Sequence, residues 1–369
     1  MESATEKIFA MNLGSTSTKV AYAENGEIKL KDTIRHPSKE TCAFEDILDQ
    51  EGYRREHVLA YMEEHGIVPA DLSAIVSRGG CTEAMNGGVY RVDQPYVDEC
   101  MSGSWGVHPC SMGPAIALEL CRGTGALPLT VDTPATDEME PLARYTGLPG
   151  VERTPCYQAL NNRAMCRWYA QTQGRRYEDM NFVVTMIGGG ISTTAHRRGR
   201  MIDAQDGVEG DGAWSGNRCN GVPVGQLVRM CYSGEYDYDG MIRRVNGEAG
   251  LVGYLGTNDI REVEQRIREG DSYAEEVLDA MCYSVAKDIG AFATVLGGDV
   301  DAILCIGGGA NSEFVTERLR ERVEWIAPFV VLPGEREMES LCESAHMALA
   351  GELPIQEFTP RKCQLRGVA

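Results

Sequence analysis

The chain has 369 residues, a formal charge of −20 at neutral pH and 43% hydrophobic residues. That length exceeds what one core fills, so two domains are expected, and the apolar content excludes a disordered chain. The acidic balance argues against nucleic acid or an anionic membrane as partner, and no apolar run approaches the roughly 20 residues that cross a bilayer. Residues 1–12 lack the apolar core of a signal peptide. The 13 cysteines show neither C-x-x-C nor zinc-type spacing, so they read as small core residues in a reducing cytoplasm.

Strands are expected over 6–12, 18–23 and 27–35, the last two joined at Asn25-Gly26. Between the first two lies Met11-Asn-Leu-Gly-Ser-Thr-Ser-Thr18. Gly14 allows close backbone approach there, and Asn12, Ser15, Ser17 and Thr18 offer hydrogen bonds. Such a turn suits a phosphate; an ordinary Ser/Thr-rich hairpin is the competing reading. Helices are expected over 43–65, then a buried strand over 72–76 that ends in Ser77-Arg78-Gly79-Gly80. A cation between a strand end and two glycines usually lines a cleft in an α/β sheet; a surface loop is the alternative. Residues 81–113 read as irregular and end in Gly106-Val-His108, followed by a helix over 113–122. The strand over 127–133 ends in Asp132, where catalytic acids of α/β folds gather, although Asp also caps turns. A linker over 148–157 and a helix over 158–171 close the first half.

The second half repeats the plan. Residues 186–190 read Met-Ile-Gly-Gly-Gly after a strand over 181–187, and strands near 191–196 and 200–203 follow. With Met186 set on Met11, Gly189 falls on Gly14, Ser192 on Ser17 and Thr193 on Thr18. A repeat of this period implies two homologous domains rather than a solenoid. Gly188, Gly189 and Gly190 then form a second phosphate-type turn, and two such hairpins facing a cleft are what phosphoryl transfer from a nucleotide requires. The loop 204–221 carries Asp206, Glu209, Asp211 and Arg218, with a local ion pair as the bland reading of Arg218. Helices follow over 223–233, 260–269 and 271–296, with a polar turn at 253–259. A buried strand then runs into Gly307, Gly308 and Gly309, and Asn311-Ser312 caps the next helix. This cluster is neither a P-loop nor a Rossmann fingerprint, yet it lets a base or sugar lie against the backbone. A strand over 329–332 and a helix from Pro333 to about Leu349 end the reading.

The paired hairpins and the third glycine turn together resemble the acetokinase branch of the sugar kinase, heat-shock ATPase and actin superfold, and within it the butyrate kinases. The resemblance runs from Met11-Asn-Leu-Gly to Pro333-Gly-Glu335 and includes Gly221-Val-Pro-Val-Gly-Gln-Leu227 and Tyr254-Leu-Gly-Thr-Asn-Asp259. It implies an α/β fold of two duplicated ribonuclease H-like domains, 1–157 and 158–339, with an active-site cleft between them and the helix of 340–369 packing back on the first. It further implies ATP/ADP, Mg²⁺, a short carboxylate or acyl phosphate, and a homodimer or larger homo-oligomer. By motif, Asn12 is implied to meet the transferred phosphate and, with Glu337, the magnesium. Arg78 and Arg218 are implied to contact carboxylate or phosphoryl oxygens, where a planar fork fits. Asp132 is implied to orient the reacting carboxylate or the metal. Asp259, Arg261, Gly307, Gly308, Gly309 and Asn311 are implied nucleotide contacts, and His108 a cleft histidine, with a structural role as its competing reading.

Two positions depart from the family pattern. Tyr157-Gln158-Ala-Leu-Asn161 stands where butyrate kinases have Phe-His-Ala-Leu-Asn, and Met186-Ile-Gly-Gly-Gly190 where they have His-Leu-Gly-Gly-Gly. Gln158 can donate a neutral hydrogen bond; Met186 can donate none. The expected reaction is ATP plus butyrate or a similar short carboxylate giving ADP and an acyl phosphate, by in-line transfer. The departures keep two alternatives open: a nucleotide- or acyl-phosphate-binding homologue with reduced or lost turnover, and a kinase for a different small acid.

Overall fold

A computed structural model describes residues 5–208 and 210–359. In chain order the strands are β1 (Lys7–Leu13), β2 (Ser17–Glu24), β3 (Glu27–Arg35), β4 (Ala74–Ser77), β5 (Val89–Arg91), β6 (Leu127–Val131), β7 (Asn181–Ile187), β8 (Ile191–Arg197), β9 (Arg200–Ala204), β10 (Ala302–Gly307), β11 (Phe329–Pro333) and β12 (Ile355–Gln356). The helices are α1 (Ser38–Thr41), α2 (Glu51–Glu64), α3 (Gln94–Met101), α4 (Met112–Cys121), α5 (Ala159–Thr172), α6 (Val224–Cys231), α7 (Tyr238–Val245), α8 (Gly250–Leu255), α9 (Ile260–Arg268), α10 (Ser272–Val295), α11 (Glu313–Val323) and α12 (Glu337–Leu349). None is long and apolar enough to cross a membrane among the described residues.

Over its described residues the chain forms two compact units. The first holds residues 5–137, 159–164 and 336–359; the second holds the described residues of 138–158 and 165–335. The first unit has a seven-stranded sheet in the order β12-β5-β6-β4-β1-β2-β3. β1 runs antiparallel to β2 and parallel to β4, and β4 runs parallel to β6. Every residue of β1 from Ile8 on is buried, as expected for a central strand covered on both faces. Phe9, Met11 and Leu13 pack with Val58 and Met62 of α2 and Ile116 and Leu120 of α4. Ile8 and Ala10 pack on the other face with Met338, Leu341 and Ala345 of α12. Each of these side chains other than the alanines contributes roughly 1.5–3 kcal/mol when fully buried.

The second unit has a five-stranded sheet in the order β11-β10-β7-β8-β9, with β7 antiparallel to β8 and parallel to β10. Its connectivity is that of β3-β2-β1-β4-β6, so the duplication seen in the glycine turns extends to topology. The hairpins themselves differ. Leu13 pairs with Thr18 across four loop residues, whereas Ile187 pairs with Ile191 across three. Setting the closing pairs on one another places Met186 at the position of Asn12, one residue away from the alignment with Met11 expected from sequence.

The stretch 81–113 is more regular than its composition suggests. It contains β5 and α3, the latter opened by Asp93, whose carboxylate accepts from the Tyr96 N–H at 3.0 Å, and by Pro95 in the first turn. Helix α7 likewise starts at Asp237, which accepts from the Gly240 N–H. Both N-caps were present in the sequence, but the elements they open are only eight residues long.

Candidate active site

In the first unit the ends of β1, β4 and β6 carry Asn12, Ser77-Arg78 and Asp132, while Glu337 opens α12. Asn12 Nδ2 donates to Glu337 Oε2 at 2.6 Å, and Arg78 Nη1 lies 3.9 Å from Glu337 Oε1. Three residues far apart in sequence thus share one carboxylate. The hydrogen bond uses the Asn12 amide nitrogen, so its Oδ1 and the Glu337 carboxylate are the oxygens suited to a hard cation. Among the described residues no group of three or more His, Cys, Asp or Glu is placed to hold a metal ion. Mg²⁺ commonly takes only one or two protein carboxylates together with substrate phosphates, so this donor set fits it.

Asp132 has a left-handed backbone, φ +41°, a conformation that strains a non-glycine residue by about 1–3 kcal/mol. Its Oδ1 accepts from the Gly88 N–H at 2.8 Å and lies 3.2 Å from Arg163 Nε. Its Oδ2 is buried with no hydrogen-bond partner. A buried acid with one oxygen left without a partner departs from the rule that buried polar atoms are hydrogen-bonded, which marks Asp132 as a candidate site residue. Arg163 was not anticipated; it is an ordinary helix position until the fold sets it beside Asp132.

His108 shows its structural side. Its Nδ1 accepts from the Cys110 N–H at 3.1 Å, capping a short helical turn, and sits 2.9 Å from Cys110 Sγ. Nδ1 as acceptor leaves the proton on Nε2. Burial, then the charges of Arg78 and Arg54, push its pKa down, so the ring is neutral. Beside it, Cys81 is held at about 7 by a hydrogen bond with Cys110, helped by Ser111 and Arg78 against the opposing effect of burial.

The first hairpin requires a correction. The Gly14 N–H is used within the turn, donating to the Ser17 carbonyl at 2.8 Å. The Thr18 hydroxyl is fully buried against His36 Nε2 at 2.9 Å. Both groups are engaged within the protein; Ser15 is exposed and Ser17 half-buried.

In the second unit Gly188, Gly189, Gly216, Asn258, Asp259, Arg261, Gly308, Gly309 and Asn311 line one cavity of about 690 Å³. This lies within the range of sites for drug-sized ligands. A side chain at Gly189 or Gly308 would meet nothing within 4 Å, so these backbones form open walls. Asp259 and Arg261 pair bidentately at 2.9 and 2.6 Å, which holds Asp259 down to about 2. Asn311 Nδ2 closes its turn on the Gly308 carbonyl at 2.9 Å. Glu264, which accepts from the Ser312 hydroxyl, also lines this cavity and carries no sequence signal.

Two of the expected glycine contacts do other work. Gly307 has φ +88°, and a β-carbon there would stand 2.6 Å from the Ile187 carbonyl. It packs strand on strand. Gly190 admits Arg218: a β-carbon would lie 2.2 Å from Arg218 Nη1 and 2.5 Å from the Gly207 carbonyl. Arg218 donates to Gly207 O at 2.6 Å and to Asn246 Oδ1 at 3.1 Å. It forms no ion pair with a described acid, so the local-pair reading does not hold for the described residues. Met186 is half-buried and packs against the core cluster that holds Met165, Phe182 and Val184, and Gln158 directly precedes α5.

This fold, two α/β units on one strand plan, is shared with solved kinases of small carboxylic acids. The chain is similar to acetate kinase from Porphyromonas gingivalis, with 19% identity, 94% of this chain and 100% of that one covered, and a TM-score of 0.74. It is also similar to a propionate kinase from Francisella tularensis subsp. tularensis SCHU S4, with 16% identity, coverages of 92% and 98%, and a TM-score of 0.71. At these identities the likeness shows the fold. Residues 162–332 match the model of the acetokinase family.

Proposed function

We propose that the protein is an ATP- and Mg²⁺-dependent carboxylate kinase, converting a short-chain acid such as butyrate and ATP into an acyl phosphate and ADP. The observation that carries this reading is the Asn12–Glu337–Arg78 group, which sets a cation-binding pair of oxygens beside a guanidinium. The acetokinase match of residues 162–332 supports it, as does a glycine-walled cavity large enough for a nucleotide. A carboxylate is already ionised at neutral pH, so its attack on the γ-phosphoryl needs no general base. Arg78 and Arg218 present planar donors for phosphoryl or carboxylate oxygens, and Asp132, through its open oxygen, orients the acid. Asn12 Oδ1 and Glu337 would hold Mg²⁺, which when bound neutralises charge on the transferring phosphate.

The second reading, a nucleotide- or acyl-phosphate-binding homologue with little turnover, is favoured by Met186. This residue sits at the duplicate of the Asn12 position and can donate no hydrogen bond. The cytoplasm is the proposed compartment. A homo-oligomer is supported by Val224, Val228, Met230, Tyr232, Tyr238 and Ile242, large apolar side chains left exposed on and around α6 and α7. The test is hydroxylamine trapping of acyl phosphate over a panel of short acids, with a calorimetric ATP titration alongside. Turnover on butyrate at rates typical of metabolic kinases sinks the second reading; ATP binding without turnover on any acid sinks the first.

A further inference from the structure

The first hairpin rests on a buried cation. Arg54 of α2 heads the fully buried side chains by size. Its Nη1 donates to the Gly14 carbonyl at 2.8 Å and its Nη2 to the Ser15 carbonyl at 3.1 Å. Its Nε and Nη2 also donate to Gln50 Oε1 at 3.0 and 2.9 Å. None of these partners is charged, and Arg54 forms no ion pair with any described acid. An ionised group removed from water without a counter-charge costs several kcal/mol.

Planarity of the peptide bond gives this anchoring a direction. In a trans peptide the N–H points opposite to the preceding C=O. The Gly14 and Ser15 carbonyls turn inward to Arg54, and the Thr16 carbonyl accepts from the His36 N–H at 2.9 Å. The N–H groups of Ser15 and Thr16 are therefore turned away from Arg54. Two successive N–H groups directed away from a guanidinium that has no counter-charge among the described acids are suited to an anion.

We infer that Arg54 is the positioning residue of this hairpin, fixing its N–H groups outward and supplying a positive charge whose counter-ion is a phosphate bound on the turn. The inference rests on the sequence reading of this turn as a phosphate site, which is tied to the proposed kinase function. Its field is felt at two histidines. Burial, then Arg54 and His57, press His36 down to about 4 against the opposing effect of Glu40, and Arg54 adds to the lowering at His108. Tyr53 also stands against the His36 ring.

The test titrates inorganic phosphate into the full chain, with no nucleotide or acid present, while the His36 and His108 ring signals are followed by NMR. Saturation should raise the His36 pKa, because the bound anion offsets Arg54. Arg54→Gln should weaken phosphate binding by about tenfold or more, and Arg54→Lys should recover part of it. A folded Arg54→Gln variant that binds phosphate within about twofold of the parent overturns the inference, as does a parent that binds no phosphate. A His36 pKa that stays put on saturation of the parent also overturns it, and this arm stands even where Arg54→Gln fails to fold. The proposed kinase activity is judged apart. Phosphate binding through Arg54 without acyl phosphate formation refutes only the kinase, and unchanged turnover in Arg54→Gln refutes only the role of Arg54.

Discussion

Replacing Gly190 with Ala tests whether the second hairpin serves to seat Arg218. The added β-carbon would stand 2.2 Å from Arg218 Nη1 and 2.5 Å from the Gly207 carbonyl, well inside contact distance. The guanidinium must leave, and with it go the bonds to Gly207 O at 2.6 Å and Asn246 Oδ1 at 3.1 Å. A hydrogen bond from a charged donor is worth about 1.5–3 kcal/mol. Arg218 is only half-buried and water can replace part of this, so about 1.5–3 kcal/mol in total is expected. If Arg218 steadies charge in phosphoryl transfer, its displacement should lower kcat by about 10²–10³. Hydroxamate formation and thermal melts of Gly190→Ala, Arg218→Ala and the double variant read both effects. The double variant should turn over no more slowly than Arg218→Ala alone, while keeping a residual stability loss from the Gly207 carbonyl. Gly190→Ala with parental rate and Tm refutes the reasoning.

Four further outcomes are expected. Glu337→Gln keeps an acceptor for Asn12 but loses the charge, and should raise the Mg²⁺ concentration for half-maximal rate by about 10–100-fold; an unaltered Mg²⁺ curve removes Glu337 from the metal. Met186→His should speed turnover if the missing donor limits the rate, and an unchanged rate dismisses that limitation. Alkylation of Cys81 by iodoacetamide, followed by peptide mass spectrometry, should rise with a midpoint at about pH 7, and Arg78→Ala should move the midpoint upward; an ordinary thiol midpoint in the parent contradicts the local electrostatics. His36, lowered from 6.5 to about 4, stays neutral in the folded chain while the unfolded chain takes up a proton. Stability should therefore fall as pH drops from 6.5 towards 4, and His36→Gln should flatten that part of the Tm curve; an identical slope in the variant disproves it.

The strand plan and the glycine turns were legible because buried runs and glycines act locally. The strands expected over 6–12, over 181–187 and running into Gly307 are β1, β7 and β10, each read from its own apolar content. What escaped the sequence depends on distance. Arg54 meets the hairpin across 40 positions, and Glu337 meets Asn12 across 325; only the resemblance, not any spacing, pointed to the second pair. Gly190 and Gly307 show the converse. Their glycine identity was visible, but the atoms that forbid a β-carbon belong to Arg218 and Ile187, so their packing need could not be read from the sequence. The offset of Met186 onto Asn12 was hidden because loops of three and four residues cannot be told apart until the closing pairs are known.

The placement of α12 also bears on the order in which the molecule can be made. Met338, Leu341 and Ala345 cover one face of the first unit's sheet, yet they are translated after all of 165–335. A growing chain therefore completes the second sheet, β7 to β11, while the first still shows Ile8, Ala10 and Val76 to its surroundings. The usual sequence, in which the N-terminal portion matures first on the ribosome, is reversed here. Because Glu337 is the residue that begins α12, the nascent first unit gains its covering helix and the carboxylate that meets Asn12 in a single late event. A chain stalled before that point would expose an apolar sheet face and be a natural client for chaperones.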